Sequence, residues 1–562
     1  MERPRPELEP QPVRAAALIA LSGLLSRALG LLRDRLFAHT FGAGDVLDAY
    51  FAAYRIPDLL YNLLVVGALS AAFVPVASQY FASGEHGRAS AFRMASALVT
   101  LAVILLSVVA LLLFFLVPVL IPFFVPGFDA ERVALTIRFT RIMLLQPILL
   151  GASSVVSGLL LTLRRFAAYA AAPVVYNLGI IAGLLVLVPW LGLSGLAWGV
   201  VLGALGHLAV QLPSAVRVGF RFRPMLTVAH AGIRRVSHLF FPRIVALLAG
   251  QAGSVIVTVL GSGLLTGSIS AYLLAENLQA VPIGLVGVPL GIAAFPFLAA
   301  AAARQRAEEF TAILFGTLRL TLFIALPASV FLVLLRAQIV RVVLGTGAFD
   351  WEDTRTTFTV LGILALAVVA QSLLPLLARA FFSLHDTKTP MLVSLLAITA
   401  HISSAWVLTP AFGIRGIAWA TTVSSLLHFL LLLTILHLRL GGLHDRAFLL
   451  SAIRVGVASV GAALAIQGPY LLLSRIGIAV DSWPPLLVVF SFGLKGIIAS
   501  LVDMQTFAGV ATQLVGSLLG GTVVFLGITA FLRSPELKLL RGGGKTPAWS
   551  ALLPPPLSGR SA

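Results

Sequence analysis

The first apolar runs of the chain carry charges where a membrane helix usually has none. Arg27, Arg33, Asp34 and Arg35 fall within residues 15–38, and Asp48, Arg55 and Asp58 within 46–80. Ionisable groups at membrane depth are costly, so they point to function before structure. Arg27 and Asp34 are seven residues apart and share one helix face, as do Asp48 and Arg55. Arg33 lies roughly 120° round from Arg27 on a 3.6-residue period. One helix thus offers an internal ion pair and a separate cation. A guanidinium in a low-dielectric interior suits an anion, because its planar fork matches phosphate or carboxylate bidentately. Arg243, at the start of a later apolar run, is a further candidate cation. A structural reading stands beside each: Asp48 as a loop-side cap, Arg55 with Asp58 as a packing pair, Arg243 as the end of a basic cluster.

Other chemistry is thin. The chain has no cysteine, which removes disulfides, thiolate metal sites and a cysteine nucleophile. It shows no Walker-type phosphate loop, no HExxH and no cluster of acidic residues spaced for a metal. No enzyme activity, cofactor or metal is expected. His207 and His428 read as packing or interface residues. Gly42 and Gly44 suit a tight turn between the first two helices.

These residues need a membrane scaffold. Of 562 residues, 59% are hydrophobic and 11% charged, against about 25% charged in soluble domains. The net charge is +18, but the basic residues are scattered in short clusters between apolar runs, so no nucleic-acid partner is implied. A span needs about 20 mostly apolar residues. Fourteen candidates follow: 15–38, 46–80, 92–121, 133–161, 168–189, 193–216, 238–261, 268–300, 310–335, 356–383, 389–409, 414–437, 448–473 and 506–532. The fold class expected is an all-α polytopic membrane protein. Residues 1–14 form a polar tail, followed by a retained first helix and not a cleaved signal. Even-numbered connections hold Arg88, Arg93, Arg164, Arg165, Arg217, Arg221, Arg223, Arg234, Arg235, Arg304 and Arg306, and the tail holds Arg533, Lys538, Arg541 and Lys545. By the positive-inside rule both termini are expected in the cytoplasm. Residues 484–501, apolar but short and containing Lys495, read as an interfacial or re-entrant segment.

An internal repeat organises the spans. Gly192-Leu-Ser-Gly195-Leu-Ala-Trp198 precedes His207, and Gly413-Ile-Arg-Gly416-Ile-Ala-Trp419 precedes His428 at the same spacing. A weaker echo links Ala72-Phe73-Val-Pro75 with Ala294-Phe295-Pro296. Residues 15–222 and 236–440 are therefore expected to be two six-helix lobes of the same topology, a parallel repeat. Residues 446–533 add two helices, and 534–562 form a tail. Two lobes around a central cavity is a transporter plan.

Several motifs resemble one family. Ser26-Arg27-Ala-Leu-Gly30-Leu-Leu-Arg33-Asp34, Phe41-Gly-Ala-Gly44, Asp48-Ala49, Arg55-Ile-Pro57-Asp-Leu-Leu60 and Gly67-Ala-Leu-Ser70-Ala-Ala-Phe73-Val-Pro75 resemble the N-terminal signature of the MurJ (MviN) lipid II flippases. Gly267-Ser-Ile-Ser270, Pro282-Ile-Gly284-Leu-Val-Gly287, Phe295-Pro296 and His385-Asp386-Thr387-Lys-Thr389-Pro390 are similar to later family segments. The resemblance implies the multidrug/oligosaccharidyl-lipid/polysaccharide exporter fold. It also implies alternating access for an undecaprenyl-pyrophosphate-linked peptidoglycan precursor, lipid II, moved from inner to outer leaflet of the cell membrane. Implied partners are lipid II, membrane lipids and the cell-wall synthesis machinery. Arg27, Arg33, Asp34 and Asp48 fall on family motif positions. The chain departs from the pattern at Tyr61, where arginine is frequent, at Val66, where glutamate is frequent, and at Asn277, where a cavity arginine is expected. Helix 7 has no carboxylate, so the sodium site of some members is not expected. Pyrophosphate would then need donors beyond Arg33, such as Arg55 or Arg243. Another lipid-linked saccharide, a drug, or a non-transporting scaffold role are the alternatives.

Overall fold

The computed structural model describes residues 11–62, 69–227, 233, 251–441, 446–475 and 507–537. Arg243, Val66 and the segment 484–501 lie outside them. The described residues are helical, without strands, as lipid demands of a chain that must satisfy its backbone internally.

In chain order the helices are α1 (Gln11–Phe41), α2 (Asp45–Tyr61), α3 (Leu69–Ala82), α4 (Gly84–Phe124), α5 (Ala130–Met143), α6 (Leu145–Thr162), α7 (Phe166–Ala182), α8 (Val188–Leu191), α9 (Ser194–Ala209) and α10 (Leu212–Arg217). Next come α11 (Gln251–Ser262), α12 (Ser268–Pro282), α13 (Val288–Ala303), α14 (Ala307–Leu334), α15 (Arg336–Val343), α16 (Trp351–Ala365), α17 (Val368–Ser383), α18 (Lys388–Phe412), α19 (Ile414–Arg439), α20 (Arg446–Arg475) and α21 (Phe507–Phe531). Ten described segments are long and apolar enough to cross a membrane, or eleven if α16 and α17, bent by 45°, form one span. The chain is a multi-pass membrane protein. The expected total of fourteen is not reached by this test. α2 and α3 are separated by residues outside the described set, and α11 is short.

The chain divides into two compact units, residues 1–270 and 271–562. In the first unit, α7 and α9 approach through glycine. A Cβ on Gly179 would lie 2.3 Å from the Gly203 Cα, and one on Gly183 2.3 Å from the Gly199 Cα. Small residues spaced by four let membrane helices touch backbone to backbone. Phe73, Met94, Val155 and Leu159 fill the core between α3, α4 and α6, while Phe37, Tyr50, Phe139 and Leu196 fill that between α1, α2, α5 and α9. In the second unit Leu314, Leu318, Leu376 and Phe381 form the main core. Phe323 of α14 packs on Phe525 of α21, ring centroids 5.2 Å apart, with Val455 and Ala458 of α20.

The sequence repeat is also a geometric repeat. Gly192 (φ 60°, ψ −153°) and Gly413 (φ 58°, ψ −136°) adopt the same left-handed turn. Each carbonyl accepts from the amide three residues on, Gly195 N–H and Gly416 N–H, both at 2.9 Å. Each following glycine faces the preceding helix. A Cβ at Gly195 would meet the Leu187 carbonyl carbon at 2.4 Å, and one at Gly416 the Leu408 oxygen at 2.4 Å. Two π-helical turns, Gly183–Leu187 and Ile283–Gly287, interrupt the helices that lead into α8 and α13.

Candidate functional site

The charged face of α1 is built around neighbours. Arg33 donates from Nε (3.0 Å) and Nη2 (2.8 Å) to the same oxygen, Asp34 Oδ1. Asp34 is 3% exposed, whereas the Arg33 side chain keeps 23% exposure. Helix spacing pairs Asp34 with Arg27 and sets Arg33 apart. The structure joins Asp34 to Arg33 and leaves Arg27 on the exposed surface. The cause is side-chain length: a guanidinium folds back along its own backbone to a neighbour that Cβ directions place on another face. The Nη1 edge of Arg33 has no further partner among the described residues.

A polar stripe on α2 faces this pair. Tyr50, Tyr54, Asp58 and Tyr61 recur at helical spacing. Tyr50 and Tyr54 lie close enough to Arg33 to interact with its charge. Tyr54 and Tyr176 share a hydrogen bond of 2.7 Å, and Gln146 Nε2 donates to both phenol oxygens, at 3.0 and 3.1 Å. Tyr61, at a position where arginine is frequent in the family, lies near Ser154. Asp58 interacts with Arg55 and Tyr54, so the stripe runs from Arg33 to Arg55. Arg55 donates from Nε to Thr258 Oγ1 on α11 at 3.0 Å. Its Nη2 is buried with no hydrogen-bond partner among the described residues. A buried donor left unmade costs about 1–3 kcal/mol, more when charged. The α1 edge is stitched to α7: Ser22 Oγ donates to Ala170 O, and Asn177 Nδ2 donates to Ser26 Oγ at 3.2 Å.

Asp48 is placed differently. Only 2% exposed, it accepts from Gly267 N–H (2.7 Å), Ser270 N–H (2.8 Å) and Ser270 Oγ (2.5 Å). Both oxygens thus cap the start of α12, where orphan amides and the helix dipole favour a carboxylate. Nearby, Arg132 ties three loops together. It reaches Asp129 Oδ2 (2.9 Å), Asp45 Oδ1 (3.2 Å) and Thr266 Oγ1 (3.2 Å). The Arg132 backbone N–H, more than its side chain, holds the Asp129 carboxyl below the usual range. Gly267 closes the cluster, since a Cβ there would lie 2.1 Å from the Ala43 oxygen.

In the second unit Asn277 is half-buried on α12. Two features there escaped sequence reasoning. Tyr272 OH meets Thr421 Oγ1 at 2.7 Å, which meets His401 Nε2 at 3.2 Å. Arg319, nearly buried in α14, faces Glu536, whose side chain is wholly buried. Arg319 stood in an apolar run and was legible as an intramembrane charge. Tyr50 and Tyr54 were legible only as a stripe with Asp58. No group of three or more metal-ligating side chains occurs among the described residues.

Comparison with solved structures shows that this helical order is a fold already seen in membrane transporters. The chain superposes on a structure described as lipid II flippase MurJ in an inward closed conformation, with a TM-score of 0.72 and 21% identity over 92% of this chain and 99% of that one. It matches an inward-facing multidrug-resistance MATE transporter of the MOP superfamily with a TM-score of 0.64 and 13% identity over 74% of this chain and 94% of that one. The family model described as lipid II flippase MurJ matches residues 37–482. A lipid II flippase MurJ of Burkholderia cenocepacia is 31% identical over 80% of this chain and 88% of its own length. A probable lipid II flippase MurJ of Rhizobium tropici is 31% identical over 74% and 79%. The chain belongs to the MurJ family of lipid II flippases.

Proposed function

We propose that this protein moves lipid II, the undecaprenyl-pyrophosphate-linked disaccharide peptide, from the inner to the outer leaflet by alternating access. The observation that carries the reading is the stripe from Arg33 to Arg55. It holds two guanidinium groups at membrane depth, each with N–H groups left over after its protein contacts. A lipid pyrophosphate cannot cross unaided because its charges meet the desolvation cost of the bilayer. Arg33 and Arg55 supply replacement donors, and Asp34 orients the first. Arg27 sits on the exposed part of α1 as a steering cation, and Asp48 acts by holding the start of α12. Asn277 takes a neutral hydrogen-bonding role where relatives place a cation. Arg243, outside the described residues, is a further candidate cation for the same head group.

Both termini lie in the cytoplasm on this reading, since basic residues gather in the even-numbered connections and the tail. Membrane lipids solvate the exposed apolar faces, and the cell-wall synthesis machinery receives the product. Substitution of arginine by Tyr61 and Asn277 favours one second reading, export of another lipid-linked saccharide or a drug with a less anionic head. Expression in cells depleted of their own flippase tests the proposal. Restored lipid II translocation that Arg33→Ala removes, at equal protein level, is the expected result. Failure of the wild-type chain to restore it, at verified expression, overturns the reading.

A further inference from the structure

A second buried polar cluster lies in the first unit, outside the arginine stripe. It contains a histidine, the side chain whose ordinary range of proton exchange lies nearest neutrality. His207 of α9 meets Ser153 Oγ of α6 through Nδ1 at 2.7 Å. Gln211 Nε2 donates to Ser153 Oγ at 2.9 Å and to the His207 carbonyl at 2.9 Å, and lies 3.3 Å from His207 Nδ1. Ser157 Oγ donates to Gln211 Oε1 at 2.8 Å. Ser153 and Gln211 are both fully buried.

Counting hydrogens settles the direction of each bond. Ser157 fixes the Gln211 amide with its oxygen toward α6. The two amide hydrogens then go to the His207 carbonyl and to Ser153. Ser153 is therefore an acceptor from Gln211, and its single hydrogen goes to His207 Nδ1. That nitrogen is a lone-pair acceptor here, and the ring is neutral with its proton on Nε2. A second proton on Nδ1 would face the Ser153 hydrogen. Ser153 would have to turn, and its hydrogen would have no acceptor in this arrangement. The arrangement thus accepts the neutral ring and rejects the charged one.

The surroundings offer no compensation. The side chains facing His207 are Ser153 from α6, Gln211 before α10, and Tyr176 from α7, whose ring stands edge-on at 6.4 Å. Of these only Tyr176 carries an ionisable group. Behind it stand Tyr54 and, through Tyr54, Arg33 and Asp58. Among the described residues no charged side chain acts directly on the ring. A ligand shifts a conformational equilibrium only by binding its states unequally, and here one state excludes the proton.

We propose that His207 Nδ1 is a proton-binding site whose occupation drives the first unit out of this packing, so that a proton is the coupling ion. The coupling rests on the transport reading above, whereas the proton site does not. The ring takes its proton from water when α6 and α9 part, and returns it when they close. Tyr176 links the cluster to Tyr54 and the arginine stripe, so proton and anion sites share one wall.

Two measurements test this. Hydrogen–deuterium exchange of residues 145–162 and 194–217, corrected for intrinsic rate, is followed from about pH 8 to about pH 5, the range in which histidine titrates. The wild-type protein, without lipid II, gains exchange in both segments as the pH falls. His207→Asn keeps an acceptor for Ser153 but takes no proton, and loses the response. Gln211→Glu retains the histidine and sets a carboxylate beside it. Its midpoint rises by about one pH unit, a tenfold change in proton concentration. In proteoliposomes an inward-directed proton gradient speeds lipid II translocation several-fold in wild type and not at all in His207→Asn. A flat exchange profile, a response that survives in His207→Asn, or an unmoved midpoint in Gln211→Glu overturns the proton site. An intact exchange response with translocation indifferent to the gradient overturns the coupling. An intact response with no lipid II translocation leaves the proton site standing and overturns the flippase reading.

Discussion

The carboxylate of Glu536 lies 3.7 Å from Arg319 Nε, with the side chains 0% and 10% exposed. The hydrogen bonds to this carboxylate come from Ser451 Oγ (2.7 Å) and Ser534 Oγ (2.5 Å). Three stretches of chain, α14, α20 and the residues after α21, meet at one buried anion. Removing one member of a buried pair costs about 3–5 kcal/mol, whereas replacing both with apolar groups is often neutral. Glu536→Gln and Arg319→Met are each expected to lower the thermal midpoint in detergent sharply, and the double variant Arg319→Met with Glu536→Met to recover most of the loss. Additive losses in the double variant would show that the two groups do not interact.

Arg33 is expected to tolerate neither truncation nor a point charge. A hydrogen bond to a charged group contributes about 1.5–3 kcal/mol, so Arg33→Ala should weaken lipid II binding roughly ten- to a hundredfold. Arg33→Lys should be intermediate, because an ammonium does not replace the fork. Arg55→Ala should add to the Arg33 defect. Titration of purified protein with lipid II, at unchanged melting temperature, provides the check. Wild-type affinity in Arg33→Ala would remove the anion site from the stripe.

Asp48 should behave as a cap. Loss of a helix N-cap costs about 0.5–2 kcal/mol, and here two amides and a hydroxyl lose their acceptor together. Asp48→Ala should open the loop 263–267 to protease before the rest of the unit melts, and Asp48→Asn should fall between it and wild type. Limited proteolysis reads this directly.

The repeated turns predict matched sensitivity. Gly195→Ala and Gly416→Ala each push a Cβ into backbone at 2.4 Å, so both should lower the yield of folded protein to a similar degree. Monodisperse yield from size-exclusion chromatography compares them. A large effect at one site alone would mean that the likeness stops at the turn.

Asp386 carries the pH prediction. Hydrogen bonds from Thr389, ahead of the contact with Arg439, hold its carboxyl below the usual range. Its oxygens accept Thr389 N–H (3.0 Å) and Oγ1 (2.6 Å) at the start of α18. A depressed folded-state value contributes stability above the unfolded value, about 3.9, and loses it as pH falls through the folded one. Exchange in the first turn of α18 should therefore rise only below about pH 4. Asp386→Asn should show that rise at neutral pH.

Much of the fold was legible because hydropathy is a local signal. The order of apolar segments, the glycine-tryptophan repeat and the charged α1–α2 stretch all read directly from neighbouring residues. The partners did not. Asp48 finds its amides more than two hundred positions away, and no spacing rule reaches that far. Arg33 and Asp34 were separated by helix-face reasoning that ignores how far a guanidinium bends. Glu536 looked like part of a solvated tail, since nothing near it in sequence announces burial. His207 was read as packing because a histidine on an apolar helix usually is. Its serine and glutamine partners sit on α6 and beyond the end of its own helix.

The π turns at Gly183–Leu187 and Ile283–Gly287 each hold one residue more than an α-helix would use. Deleting a single residue there would let the turn relax to ordinary pitch. Everything downstream would keep its facing, because the extra residue is taken up inside the turn and is not passed on as a 100° step around the helix axis. Insertions elsewhere in these helices scramble both faces, but at these two places the chain already stores a one-residue reserve. Length polymorphism among relatives would then concentrate there, and a designer seeking to shorten the chain ahead of α8 or α13 without re-aiming either helix would begin by removing one residue from the turn.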